Sequence, residues 1–347
     1  MKKEKYTRRE FFKLGALGLG AVFLRPPRLT VNNALFSPSP NPSVKAPRTF
    51  LVGSQRGVSV HKLPDDSSLI MYQIGYNEIV NVYDEIESPA GPYWNPIWYR
   101  VWGGYVHSGH LFEVKYILNS LNTNIRPTGQ LAEITVPYTQ SYFYNNVQGW
   151  IPVYRLYYGT THWIMDVITG PDEKPWYKIK DQLDSSEIAV PSEHLRFIPD
   201  EDFEPISPNV PPGNKHIEIS ITYQNLKAYE GENLVFETKI STGRITVPGN
   251  FHIQTKLPSK HMGVADLSDD IYAYRFVGVP WTCFFQMEDG LATHGVYWHS
   301  NFGTPMSAGC INMSISDAKW VYRWTTPVAA PEDWEKRGFG TAIRITP

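Results

Sequence analysis

This chain has only two cysteines, and one of them sits where a thiol could do chemistry. Cys310 lies in the run Ser307-Ala308-Gly309-Cys310-Ile311-Asn312-Met313, preceded by Thr293-His294-Gly295-Val296-Tyr297-Trp298-His299. The thiolate is the nucleophilic form of cysteine, and a nearby imidazole can take the thiol proton at neutral pH. A lone Cys with a histidine brought beside it is therefore a candidate for acyl transfer through a covalent intermediate. Free cysteine is also among the most buried residue types, so on spacing alone a packing role competes evenly with catalysis.

The two segments together resemble the signature of the L,D-transpeptidase catalytic domain, also called the YkuD domain. That signature is a His-Gly or His-Ser, a gap of about a dozen or more residues, then Ser/Thr-His-Gly-Cys, an apolar residue, and Asn or Arg. Here it reads His294-Gly295, then Ser307-Ala308-Gly309-Cys310-Ile311-Asn312. Further upstream, Ser241-Thr242-Gly243 and Thr246-Val247-Pro248-Gly249-Asn250-Phe251 match the family's Ser-Thr-Gly and later Pro-x-Gly. The resemblance covers about residues 214–346. One position departs: Ala308 stands where the signature has His. That histidine is not the family's general base, so the departure bears on rate and substrate preference more than on reaction class.

The resemblance implies a set of roles. Cys310 is the nucleophile, and His294 is the base, oriented by the backbone carbonyl of Gly295. Backbone N–H groups of the Ser307, Ala308, Gly309 and Cys310 turn form an oxyanion hole, and Gly309 permits the close approach. Tyr297, His299 and Asn312 are substrate-binding candidates, as is Trp298, for which a core role is at least as good a reading. His294 and His299 are five positions apart and face opposite sides of a regular strand, so one of them faces Cys310. The following glycine favours His294, which leaves His299 as a cleft or structural histidine.

The implied activity is a peptidoglycan L,D-transpeptidase that forms 3→3 cross-links through a Cys thioester, in cell-wall biogenesis and remodelling. Its partners are donor and acceptor stem peptides, with carbapenem-type inhibitors. Three alternatives stay open: an L,D-carboxypeptidase, with water as acceptor; an inactive cell-wall-binding protein, which Ala308 motivates; and another thiol acyl-transfer enzyme, such as a cysteine peptidase. No cofactor is required, and no His-Glu-x-x-His, Cys-x-x-Cys or Gly-rich phosphate loop occurs.

Composition bounds the rest. The 347 residues suffice for two or three domains. With 32 Lys and Arg against 34 Asp and Glu, the net charge is −2 and gives no argument for nucleic acid. The aromatic share of 14% suits aromatic β-cores first, and sugar-bearing polymers second. Lys2, Lys3 and Lys5, then Thr7-Arg8-Arg9-Glu10-Phe11-Phe12-Lys13 and the apolar run 14–24, resemble a twin-arginine export signal, placing the protein in the cell envelope or outside the cell. Whether cut near Ala34 or kept as an anchor, this segment is the only expected membrane contact. Cys283, in the apolar run Trp281-Thr282-Cys283-Phe284-Phe285, reads as a core thiol, so no structural disulfide is expected.

The elements that must hold the site read as mainly β: two small SH3-like β-barrel modules, then the β-rich YkuD-type domain. The expected order is a signal or anchor at 1–34, a Pro-rich linker at 35–48, module 1 at 49–116, module 2 at 127–200, a linker at 201–213 and the catalytic domain at 214–346. An internal repeat supports the two modules. Trp98-Tyr99-Arg100-Val101 with Val106-His107-Ser108-Gly109-His110-Leu111 is echoed by Trp176-Tyr177-Lys178-Ile179 with Val190-Pro191-Ser192-Glu193-His194-Leu195. His110 and His194 recur in the repeat and read as structural. Residues 216–221, 223–229 and 234–240 read as strands, and 316–324 as the one short helix, capped by Ser316 or Asp317.

Overall fold

The computed structural model describes residues 46–347. The 1–34 signal and most of the 35–48 linker lie outside the described residues. What is described is mainly β: twenty-five strands, one α-helix and four short 3-10 turns, with the strands in five sheets. The ladders of all five sheets are open, so the expected barrels are seen as packed sheets, not closed rings.

The repeat read from the sequence is visible as a repeated set of elements. In the first copy, strands Ile97–Val101 and Gly104–His107 are followed by the 3-10 turn Ser108–His110 and strand Leu111–Val114. In the second, strands Pro175–Lys180 and Glu187–Pro191 precede the 3-10 turn Ser192–His194 and strand Leu195–Phe197. Even the register agrees: Trp98 pairs with His107 and Tyr99 with Val106, while Trp176 pairs with Pro191 and Tyr177 with Val190. Alternation along a strand sends the Tyr to one face and the Trp to the other. Tyr99 and Tyr177 accordingly join the apolar cores of their own copies.

The C-terminal region is built on two five-stranded sheets. In one, strand Lys215–Ser220 pairs with Asn225–Glu230 and, in parallel, with the last strand Ala342–Thr346. The other places strand Arg275–Gln286 between Thr255–Gly263 and Leu291–Gly295, and the short strand Ile311–Met313 runs parallel beside the last of these. Ile217, Ile219, Leu226, Ile343 and Ile345 from the first sheet meet Trp281, Cys283, Phe285, Ile311 and Met313 from the second. Leu131 and Trp163, from the region before it, join this same core. So does Phe203 in the 201–213 segment, which is more than a connector: Asp202 there pairs with Lys319 at 2.7 Å.

The helix Ile315–Trp324 lies against this core through Ala318, Val321 and Tyr322, the i, i+3, i+4 spacing of one helical face. Ser314, not Ser316 or Asp317, is its N-cap, because the Ser314 hydroxyl accepts from the Asp317 N–H at 3.1 Å. At the other end, carbonyls lacking a helical partner are met by two lysine ammoniums. Lys256 Nζ donates to Tyr322 O (2.5 Å), Thr325 O (3.0 Å) and Pro327 O (2.8 Å), and Lys215 Nζ donates to Trp324 O (3.1 Å). Burial pulls the Lys256 ammonium down to about 8.

Candidate active site

His294 comes from the strand Leu291–Gly295, one residue before its end, and pairs across the parallel ladder with Asn312. Cys310 immediately precedes the neighbouring strand Ile311–Met313. Pairing the two strands in parallel therefore brings the histidine and cysteine segments together at one end of the sheet. His294 and Cys310 both line a cavity of about 550 Å³, with Ser307, Ala308, Gly309 and Asn312 on the same wall. Apolar wall comes from Met262 and Phe276 on the hairpin between strands Thr255–Gly263 and Arg275–Gln286, and from Trp298.

The imidazole is held from behind. His294 Nδ1 lies 3.1 Å from the carbonyl oxygen of Gly295. A ring that donates through Nδ1 leaves the lone pair on Nε2, the state a base needs. Gly295 has little room for a side chain: an added Cβ would lie 3.0 Å from Ile315 Cα and 3.1 Å from Pro280 Cγ. The helix start thus fixes the position of the carbonyl that orients the ring.

The imidazole and the thiol are both neutral near pH 7. Burial lowers His294 to about 4, and burial raises the Cys310 thiol above its ordinary value. The Cys310 thiol donates to the carbonyl of Gly290 at 3.4 Å, and its side chain packs beside Leu257, Phe284 and Ala292. In this state the thiol and the imidazole do not form a standing ion pair.

The nucleophile turn is pinned by the Ser241-Thr242-Gly243 segment. Ser241 and Asn312 exchange both backbone bonds at 2.8 Å, and Ile245 N donates to Ala308 O at 2.9 Å. The Thr246 hydroxyl accepts from Gly243 N (2.8 Å) and donates to Gly309 O (2.7 Å). A Cβ on Gly243 would fall 2.2 Å from Gly309 N, so that position demands glycine, and one on Gly309 would press on the Ile245 and Leu291 side chains at 2.6 Å. Ser307 closes the turn by donating its hydroxyl to Cys310 O at 2.5 Å. Ser307 N is committed to Thr242 O, whereas the N–H groups of Ala308, Gly309 and Cys310 carry no protein hydrogen bond among the described residues. They are the donors available to a developing oxyanion.

The remaining sequence candidates separate. Asn312 lines the cavity, and its buried Oδ1 has no partner among the described residues. His299 does not line it; its Nδ1 accepts from Asn301 N at 3.3 Å and its Nε2 lies 3.0 Å from the Asn312 side-chain amide. Tyr297 does not line it either: the ring is buried and stacks on Tyr157, centroids 5.4 Å apart. Trp298 takes the wall position, its ring 6.0 Å from that of His294. The reason is local: the strand ends at Gly295, and the chain bends at Tyr297 and Trp298. Strand alternation therefore says nothing about which way these side chains point. Met262, Phe276 and Arg244 line the cavity without having been singled out from the sequence, and only adjacency to Ser241-Thr242-Gly243 could have flagged Arg244. Cys283 is a free, fully buried core thiol.

Comparison with known proteins places this site in context. Residues 214–335 match the family model for YkuD, the L,D-transpeptidase catalytic domain. No curated protein matches the chain. Among solved structures, it is similar to the L,D-transpeptidase (Yku) from Stackebrandtia nassauensis at 22% identity, covering 39% of this chain and 56% of that one, with a TM-score of 0.28. It is similar to the catalytic domain of the E. faecium L,D-transpeptidase at 20% identity, covering 38% and 96%, with a TM-score of 0.29. For the L,D-transpeptidase from Mycobacterium smegmatis the values are 17% identity, 48% and 75% coverage, and a TM-score of 0.31.

Proposed function

We propose that this chain, which carries a YkuD-type L,D-transpeptidase catalytic domain at residues 214–335, is a peptidoglycan L,D-transpeptidase acting through Cys310. The observation that carries this reading is the shared cavity: a thiol, an imidazole oriented by its neighbour's carbonyl, and uncommitted turn amides meet in one open pocket.

In the proposed reaction His294 Nε2 takes the Cys310 proton as the sulfur attacks the carbonyl between the diamino acid and the terminal D-Ala of a stem tetrapeptide. The amides of Ala308, Gly309 and Cys310 receive the oxyanion. The C–N bond then breaks, the imidazolium returns its proton to the leaving amine of D-Ala, and a thioester remains. The side-chain amine of a second stem attacks that thioester, closes the 3→3 cross-link and restores the thiol. Water as the attacking group gives the L,D-carboxypeptidase outcome from the same intermediate.

The export signature at 1–34 would carry the chain to the compartment that holds this polymer. The matching elements of the two repeat copies support reading 49–116 and 127–200 as SH3-like modules. Incubation with a carbapenem followed by intact-mass measurement tests the chemistry. A covalent adduct is expected on the wild type and on His299→Ala, slower in the latter, and none on Cys310→Ala or His294→Ala. An unmodified wild type would favour a wall-binding protein. Isolated muropeptides that lose no D-Ala would remove the L,D-specificity while leaving thiol acyl transfer in place.

A further inference from the structure

One side chain of the cavity carries a charge that the proposed reaction has not used. Arg244 lines the same cavity as Cys310 and His294, and no carboxylate lines it. The guanidinium of Arg244 is without an acidic partner among the described residues, and the residue is exposed at the cavity rim.

The backbone of Arg244 is not free to wander. Arg244 N donates to Ser307 O at 3.4 Å, Ile245 N donates to Ala308 O at 2.9 Å, and Gly243 sits directly against the backbone of Gly309. The cation is thus mounted on the segment that pins the nucleophile turn, so its origin and Cys310 keep a fixed relation. Ala308, whose carbonyl accepts across this bridge, is exposed and lines the same cavity. The facing walls at Met262, Phe276 and Trp298 are apolar, and a charge pair formed against such walls is screened less than one in open water. A guanidinium presents a planar fork of donors that matches a carboxylate with two parallel bonds.

We infer that Arg244 binds the free terminal carboxylate of the donor peptide, one residue beyond the bond that Cys310 attacks. This rests on the transpeptidase reading and adds a substrate rule to it: the site selects peptides whose last residue is the one to be released, and discriminates against internal bonds. Arg244 is here a specificity residue. It touches the part of the substrate that leaves.

The test separates binding from turnover. The Cys310→Ala protein is titrated calorimetrically with two synthetic stem tetrapeptides, one ending in a D-Ala carboxylate and one in a D-Ala carboxamide. The acid is expected to bind about tenfold tighter, the effect of one well-made charge-assisted pair. In Cys310→Ala/Arg244→Ala the two peptides should bind alike, and Arg244→Lys in the same background should recover part of the preference. Equal binding of acid and amide by Cys310→Ala, or a preference that survives loss of Arg244, overturns the inference. Release of D-Ala by the wild type is measured alongside. Carboxylate preference without release would sink the transpeptidase reading and leave the Arg244 assignment standing, and release without preference would do the reverse.

Discussion

The two repeat copies share a register and an order of elements, yet they present different groups to the C-terminal region. The first copy meets it by close approach of glycines and by a side-chain bond, Asn95 Nδ2 donating to Asn301 Oδ1 at 3.3 Å. Gly109 O accepts from Ser300 N at 2.9 Å, a Cβ on Gly109 would lie 2.9 Å from Asn301, and one on Gly53 would lie 2.1 Å from Trp298 O. This joint grips residues 298–301, between the His294 strand and the Cys310 turn. The matching turn of the second copy, Ser192–His194, stays within its own copy, where His194 Nδ1 lies 2.8 Å from the Thr139 hydroxyl. That copy joins the C-terminal region through buried polar groups, with Gly278 lying close against His162 and Thr161. Asp181 Oδ2 lies 2.8 Å from His261 Nδ1 and accepts from the Tyr154 hydroxyl at 3.1 Å, and Thr161 donates to Pro258 O at 2.7 Å. One plan of strands thus carries two joints with different weak points. Where a glycine lies against backbone, as Gly53 does against Trp298, no atom can be added, and where buried polar groups meet, no partner can be removed.

Acid should break both joints, with the largest summed effect. Burial holds His162, at the second joint, and His299, at the first, at about 3, and His294 at about 4. Each folded value lies below the unfolded value of about 6.5, so the unfolded chain binds more protons between those limits. The stability contributed is fully present above about pH 6.5 and is lost as pH falls toward 4, by about 3 kcal/mol for each histidine. Urea unfolding followed from pH 7.5 to 4.5 checks this. His162→Gln and His299→Gln should each flatten the pH slope by about one proton, and a slope unchanged in either would mean that joint is not acid-sensitive.

Asp181→Ala comes next, at about 2–4 kcal/mol, because it leaves two buried groups, the His261 ring nitrogen and the Tyr154 hydroxyl, without their shared partner. The urea midpoint should drop while the Cys310 acylation rate per folded molecule holds, since the residue does not touch the cavity. Gly109→Ala is expected to cost about 1–3 kcal/mol through overpacking against Asn301, and it should slow acylation about tenfold because Trp298 and the cavity wall lie in the displaced segment. Equal acylation by Gly109→Ala and the wild type would show that the first joint does not position the site. The smallest effect is reserved for Glu193→Ala, the sequence counterpart of Gly109 in the second copy. Stability should stay within about 0.5 kcal/mol and acylation unchanged.

Much of the site was legible from residue types. A rare Cys, a His-Gly upstream and a Ser-Thr-Gly segment converge because parallel pairing of two short strands leaves few ways to arrange them. The repeat was legible too, since alternating Trp and Tyr followed by Ser and His marks the same strand, turn and strand twice. Lys256 was not. No motif marks it, and only the helix end and the residues just after it supply the three carbonyls that accept from it. Tyr297 and Trp298 were hard for a different reason: a bend, unlike a strand, has no period.

Sequence alone therefore determined the mainly β class, the resemblance of residues 214–335 to the YkuD catalytic-domain model and the pair of residues suited to thiol chemistry, because these depend on local pattern and on motifs of fixed order. Tertiary structure decided which side chains line the cavity, where Arg244 stands relative to the nucleophile turn, and how two similar copies came to hold one domain differently. Those outcomes depend on the separations of atoms brought together from positions far apart in the chain, where a single added methyl group or unpaired charge decides whether a contact can exist.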